Sequence, residues 1–263
     1  DNKIQDIIQV TKNNIIETKY PHLKITVLTE TFTAPIFDDI HNVSVFKADV
    51  KGKHKGILGL WKLYKELKAL QIDAVADLHN VLRSSILKQF FKFSTVPFIQ
   101  VDKGRTAKKA LINPNRTSFK PLSTTFERYA DVFSKLGYPV IISEMETLSK
   151  RPIPNSVKSL INPEEKVIIG IAPFAAFSGK MYPQPLMEEV LSTLNSFNKY
   201  QIVLFGGGKK EIEVLEKWEA QFNNCYNAAG KLSFSDELSL ISNLNLFLAM
   251  DSGNAHLAAM FGV

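Results

Sequence analysis

The chain has 263 residues, with 32 Lys+Arg against 26 Asp+Glu for a formal charge of +6, and 45% of it is apolar. That length suits one large domain or two small ones, and the composition excludes a disordered or collagen-like chain. A lone cysteine, Cys225, excludes an internal disulfide, and no apolar run approaches the roughly 18 to 20 residues of a helical membrane span.

The free thiol favours a reducing, cytosol-like compartment, and no charged-then-apolar leader marks the chain for export. Asp1 in place of Met reads as a lost beginning. Charge is uneven: residues 1–150 hold 23 basic and 15 acidic side chains, and residues 151–263 hold 9 and 11. The basic excess gathers in a loop-like stretch at Lys47, Lys51, Lys53 and Lys55, and again at Lys103, Arg105, Lys108, Lys109, Arg116 and Lys120. Such a surface attracts an anionic partner or is simply a solvated face.

In chain order, apolar runs alternate with amphipathic stretches, the pattern of parallel strands covered by helices. The first half predicts strands over 24–29, 73–78 and 96–101 and helices over 56–70, 83–93 and 122–137. In the first helix Leu58, Trp61, Leu63, Tyr64, Leu67 and Leu70 recur every three or four residues, which reads as its buried face. Periodicity fails over 143–165, where Pro152, Pro154 and Pro163 mark a linker. Beyond it, strands are expected over 166–172, 201–205, 225–228 and 246–250. Helices are expected over 184–197, 209–222, 235–243 and from 254. The reading is an α/β protein of two domains, 1–150 and 164–263, the second cut short at its C-terminus, with a ligand cleft between them.

Three strand ends in the second domain carry chemistry. After 166–172 comes a loop of small residues ending in Lys180, suited to backbone and ammonium contacts with phosphate, although no Walker pattern is present. After 201–205 stand Gly206, Gly207 and Gly208. The dinucleotide pattern would need a further glycine where Glu211 stands, so a nicotinamide site is disfavoured, and Glu211 is left to accept from a ribose hydroxyl or to complement its helix dipole. After 246–250 the run Asp251-Ser252-Gly253-Asn254-Ala255-His256 opens a helix whose free amides, with Ser252 and His256, suit a phosphate, while Asp251 caps the helix or orients a donor. The five His and the acids show no metal-ligand spacing, and no cofactor is expected.

Taken together, these residues resemble the ADP-heptose:lipopolysaccharide heptosyltransferases of glycosyltransferase family nine. The resemblance rests on Asp73 to Asn80 with Arg83-Ser84, Pro173 to Lys180, Tyr182-Pro183, Gly206 with Glu211, Ala229 to Ser233, and Asp251 to Ala258. It implies a GT-B fold, two Rossmann-like domains facing a cleft, and an inverting enzyme that transfers heptose from ADP-heptose to a lipopolysaccharide core acceptor. It also implies a cytoplasmic enzyme peripheral to the inner face of the inner membrane. By the resemblance, Lys180 binds the donor diphosphate and stabilises its departure, Glu211 meets the ribose, and Ser252, Gly253 and His256 hold the phosphates beside Asp251. Arg83 meets the anionic acceptor, and a general base is supplied by an Asp near the start, here Asp6, which follows Gln5 where the family has Gly. The alternatives are a related GT-B enzyme using another nucleotide-sugar and a basic nucleic-acid-binding module. The second has little support, since few aromatic residues accompany the lysines, so no nucleic-acid partner is expected.

Overall fold

The computed structural model describes residues 19–114, 119, 121–144, 147–161 and 165–263. Within them the chain forms two compact units that divide between residues 144 and 147. Asp6, Arg116 and Lys120 lie outside the described residues.

The first unit contains two parallel strand pairs. Strand β1 (Ile25–Thr29) pairs with β2 (Val43–Lys47), from Ile25 opposite Val43 to Thr29 opposite Lys47. Helix α1 (Gly56–Ala69) leads to β3 (Val75–Asp77), and α2 (Leu82–Phe91) leads to β4 (Phe98–Gln100), which pairs with β3 in register from Val75 and Phe98. Helices α3 (Arg105–Leu111) and α4 (Thr125–Lys135) complete the unit. Side chains alternate across β3 and β4 as the pleat requires. Val75 and Phe98 pack against the cluster of Leu60, Leu63, Tyr64, Leu67, Leu87 and Phe91 from α1 and α2, while Ala76 and Ile99 face Tyr129 and Val132 of α4. Thr124 and Glu127 close a capping box at the start of α4.

Three expectations change here. Lys47 ends a strand rather than lying in a loop, because Val43 and Val45 alternate with Ser44 and are followed by Phe46, as in a half-exposed strand. Lys108 and Lys109 ride on α3, a helix that buries no residue and so carries no apolar periodicity to reveal it. In α1, two apolar stripes are interleaved. Leu63, Tyr64 and Leu67 are buried with Gly59 and Leu60, whereas Leu58, Trp61 and Leu70 are exposed. The loop before α1 lies against the helix: a Cβ on Gly59 would come within 2.4 Å of the His54 carbonyl carbon. Buried His54 accepts the Asp49 amide at Nδ1, 3.1 Å, and faces Glu66 through Nε2, also 3.1 Å.

The second unit is one parallel sheet in the order β7-β6-β5-β8, built from β5 (Val167–Ala172), β6 (Tyr200–Leu204), β7 (Cys225–Asn227) and β8 (Leu246–Ala249). In chain order its helices are α5 (Asn155–Lys158), α6 (Gln184–Asn195), α7 (Lys209–Gln221), α8 (Phe234–Ser242) and α9 (Gly253–Met260). Strands β5 and β6 are buried almost throughout, as expected of a sheet covered on both faces. Ile169, Ile171, Ile202 and Leu204 share a core with Met187 and Leu191 of α6 and Leu215 and Trp218 of α7.

Much of the stretch expected to be a linker is packed into this unit. Val157 is fully buried, the Arg151 amide donates to Ser242 Oγ at 3.0 Å, and Gln201 Nε2 donates to the Leu160 carbonyl at 2.6 Å. Pro152 and Pro154 stand in the packed, non-helical segment that leads into the helix at Asn155–Lys158, and so do not belong to a free tether. Cys225 is buried, and burial pushes its thiol up to about 12, so it is a poor nucleophile in the folded protein.

Glu237, partly buried in the first turn of α8, is a stored cost. Burial raises its carboxyl to about 7 from an ordinary 4.5, so between those values the folded protein holds a proton that the unfolded chain has released. The folded state is therefore favoured at low pH, and this advantage is lost as pH rises through 7. The Glu237→Gln variant is expected to unfold at higher urea than wild type near pH 8, by on the order of 2 kcal/mol, and to match it near pH 4. Equal midpoints at both values would refute this.

Candidate active site

The chain leaves β5 toward β6 and β7 on one side of the sheet, and β8 returns on the other side of β5. The carboxyl ends of β5 and β8 therefore flank the topological switch point of the sheet, the place where open α/β sheets bind ligands. Met250, just past β8, donates its amide to the Ala172 carbonyl at 3.1 Å and holds the two exits side by side.

The loop after β5 is anchored at its root and open at its tip. Phe174 is buried and stacks on Trp218, with ring centroids 6.3 Å apart and planes 5° from parallel, while the Trp218 indole donates to Glu188 Oε1 at 2.8 Å. Further on, Phe177 is exposed and a short 3₁₀ turn spans Ser178–Lys180. The Lys180 ammonium bonds to Asp251 Oδ2, and the Tyr182 amide meets the Met250 sulfur at 3.1 Å. Two links thus tie the β5 loop to the β8 exit. Lys180 beside Asp251 holds the Asp251 carboxyl below its ordinary value, with a smaller contribution from His256. Asp251 therefore acts on Lys180 and does not cap the helix.

Ser252 occupies the N-cap position of α9, with φ −136° and ψ 169°, yet its side chain makes no capping bond. Its Oγ is closed off from solvent and has no partner among the described residues. No acidic side chain lies in the first turn of α9. The first amides of a helix need acceptors, and a buried hydroxyl without a partner is costly. The arrangement is that of a cradle for an anion at the positive end of the α9 dipole, with a lysine at its rim.

Glu211 lies in the first turn of α7 and accepts the Gly207 amide at 2.8 Å, which closes the glycine turn. A Cβ on Gly206 would stand 3.0 Å from Leu215 Cδ1 and 3.4 Å from Phe174 Cδ2, so this glycine admits the aromatic root of the neighbouring loop. At the next exit, Asn227 Oδ1 accepts the Ala229 amide at 2.9 Å and Lys231 pairs with Glu219 at 2.9 Å, so that lysine is held to α7. In the first unit, Arg83 is exposed in the first turn of α2. Asp77 there is buried and accepts the amides of His79 and Asn80 at 3.0 and 2.9 Å, shaping the turn that precedes α2.

Of the residues singled out from sequence, Lys180, Asp251, Ser252, Gly253 and His256 gather at one strand-end corner, and Glu211 belongs to the exit of β6 in the same sheet. The Phe174–Trp218 stack and the Tyr182–Met250 contact were missed. Each pairs residues far apart in sequence; only the apolar character of Phe174 and Trp218 hinted at the first, and the second uses a backbone amide that carries no signal.

The model of Glycosyltransferase family 9 (heptosyltransferase) matches residues 60–263. The lipopolysaccharide core heptosyltransferase OpsX of Haemophilus influenzae is 26% identical, over 94% of this chain and 70% of that protein. Lipooligosaccharide heptosyltransferase 2 of the same organism is 25% identical, over 93% of this chain and 73% of its own length. Among solved structures, a glycosyl transferase of family 9 from Veillonella parvula superposes with a TM-score of 0.75 at 20% identity, over 98% of this chain and 76% of that one. Escherichia coli heptosyltransferase WaaC, solved with ADP-2-deoxy-2-fluoro heptose, gives 0.72 at 17% identity, over 98% and 83%. These likenesses identify the GT-B fold, and with the family match over most of its length the chain belongs to glycosyltransferase family 9, the heptosyltransferases.

Proposed function

We propose that this glycosyltransferase transfers heptose from ADP-heptose to an inner-core sugar of lipopolysaccharide, with inversion, as a cytoplasmic enzyme peripheral to the inner face of the inner membrane. The observation that carries the reading is the lysine-rimmed, uncapped start of α9 at the switch point of the second unit. The names of the two Haemophilus influenzae relatives support the sugar and the acceptor class. No helix among the described residues is long and apolar enough to cross a bilayer, which agrees with peripheral contact.

In this reading the donor diphosphate takes the Lys180 ammonium over from Asp251 and accepts from the first amides of α9 and from Ser252 Oγ. His256 adds a donor from the same helix, and Glu211 binds the ribose. The acceptor hydroxyl attacks the anomeric carbon from the face opposite the diphosphate, and the carbon–oxygen bond to phosphate breaks as the new glycosidic bond forms. The electron pair leaves on ADP, where Lys180 and the helix dipole stabilise the growing charge. The hydroxyl proton passes to a carboxylate base, the role assigned to Asp6. Arg83 meets the anionic acceptor.

Calorimetry and turnover test the reading. ADP is expected to bind with micromolar-range affinity, and ADP-heptose with a lipopolysaccharide core acceptor to release ADP. Binding of ADP without turnover of ADP-heptose, accompanied by turnover of another nucleotide-sugar, would overturn the donor assignment and leave the phosphate corner standing.

A further inference from the structure

The outer face of α1 has an unusual surface for a helix that packs a core with its other side. Ile57, Leu58 and Trp61 are 67%, 86% and 40% exposed. Positions 58, 61, 62 and 65 share one helical face, and Lys62 and Lys65 on it are exposed, as is Lys55 at the N-cap. The Lys65 ammonium lies 5.6 Å from the Trp61 ring centroid. The only acid in the helix, Glu66, is turned to Lys53 and His54, at 2.7 and 3.1 Å. The face therefore combines two exposed aliphatic side chains, an amphipathic indole and uncompensated lysines.

We propose that this face of α1 seats the enzyme on an anionic phospholipid bilayer, with Ile57 and Leu58 entering the acyl boundary, Trp61 at headgroup depth and the lysines on lipid phosphates. The proposal rests on the lipid-linked acceptor read above and supplies the surface that reading lacks. Charge complementarity selects the occupant. Tryptophan favours the membrane–water interface, lysine stems extend along apolar surface to place their charges among headgroups, and each lysine near an anionic surface adds about 1 kcal/mol, or roughly fivefold in partitioning. A protein interface is disfavoured because lysine is depleted from such interfaces, whereas here exposed Lys55, Lys62 and Lys65 accompany the exposed apolar residues, Lys65 against Trp61 itself.

The two tryptophans make the test direct, since Trp218 is buried in the second unit and Trp61 is the exposed one. The full chain is mixed with vesicles of phosphatidylcholine alone, or of phosphatidylcholine and phosphatidylglycerol in equal parts, with and without brominated acyl chains. Binding to the anionic vesicles alone is expected, with a blue shift and bromine quenching of Trp61. The Lys62→Gln/Lys65→Gln variant is expected to bind more than tenfold weaker. Ile57→Gln/Leu58→Gln is expected to lose quenching and most binding while keeping wild-type turnover of a soluble, deacylated acceptor. Absence of anionic-vesicle binding, binding without quenching, or binding unchanged in both variants would overturn the proposal, as would self-association abolished by Ile57→Gln/Leu58→Gln without vesicle binding. Vesicle binding that meets these expectations without turnover of the acceptor would refute the acceptor reading and leave this surface intact.

Discussion

Lys180→Ala is expected to lower kcat/KM for the donor about a hundred- to a thousandfold, the usual cost of losing one preorganised group that stabilises charge on a departing oxygen. The loss should appear in kcat as well as in ADP affinity, because negative charge on the diphosphate grows as the bond to the sugar breaks. Lys180→Arg retains the charge but replaces a compact ammonium with a planar fork, and should recover only part of the rate. Thermal stability should hardly move, since Lys180 and Asp251 both face water and exposed ion pairs add little. A loss of less than threefold in kcat/KM would show that the ammonium does not hold the diphosphate. Asp251→Asn separates the two roles of the pair. Freed from its carboxylate, Lys180 should bind ADP at least as tightly as in wild type, yet be less well placed for turnover.

Trp218→Ala is expected to destabilise the second unit by about 3–5 kcal/mol, the range for emptying a large buried aromatic site. Three contributions add: the ring fills the core beside α6, it stacks on Phe174, and its N–H is satisfied by Glu188. Trp218→Phe keeps a ring but leaves part of the indole site unfilled and gives up the bond to Glu188, whose exposed carboxylate turns to water, and should cost about 1–2 kcal/mol. Urea unfolding followed by circular dichroism gives both values. Because Phe174 roots the loop that ends in Lys180, Trp218→Phe should also weaken ADP binding under conditions where the variant is fully folded. Unchanged ADP affinity would show that the loop is held without the stack.

The sequence is most legible where one element carries the whole signal. Each described strand of the second unit falls within two residues of its expected limits, because short apolar runs between turn residues have few other readings. The corner at Lys180 and Asp251 to His256 was legible for the same reason, as each motif ends a strand. Helix α3 was not, since a helix without a buried face leaves no periodicity, and the short alternation of strand β2 was masked by the lysines that follow it. The outward stripe of α1 was misread because a three-or-four spacing is also satisfied by two adjacent stripes, and only the core shows which of them it takes. The Lys180–Asp251 pair spans 71 positions of sequence, so neither residue announces the other.

Every strand pair among the described residues is parallel. A parallel pair cannot zip from a tight turn, and each needs a crossover of a dozen or more residues before its first ladder bond forms. Loop-closure entropy is therefore met early and recovered late, which places such a chain among slow folders with sticky half-assembled sheets. Refolding from urea should be slow and depend on protein concentration, with losses to aggregation relieved by dilution. The emission of Trp61 follows one nucleus and that of Trp218 the other, so the order in which they recover tells which half of the enzyme finds its topology first.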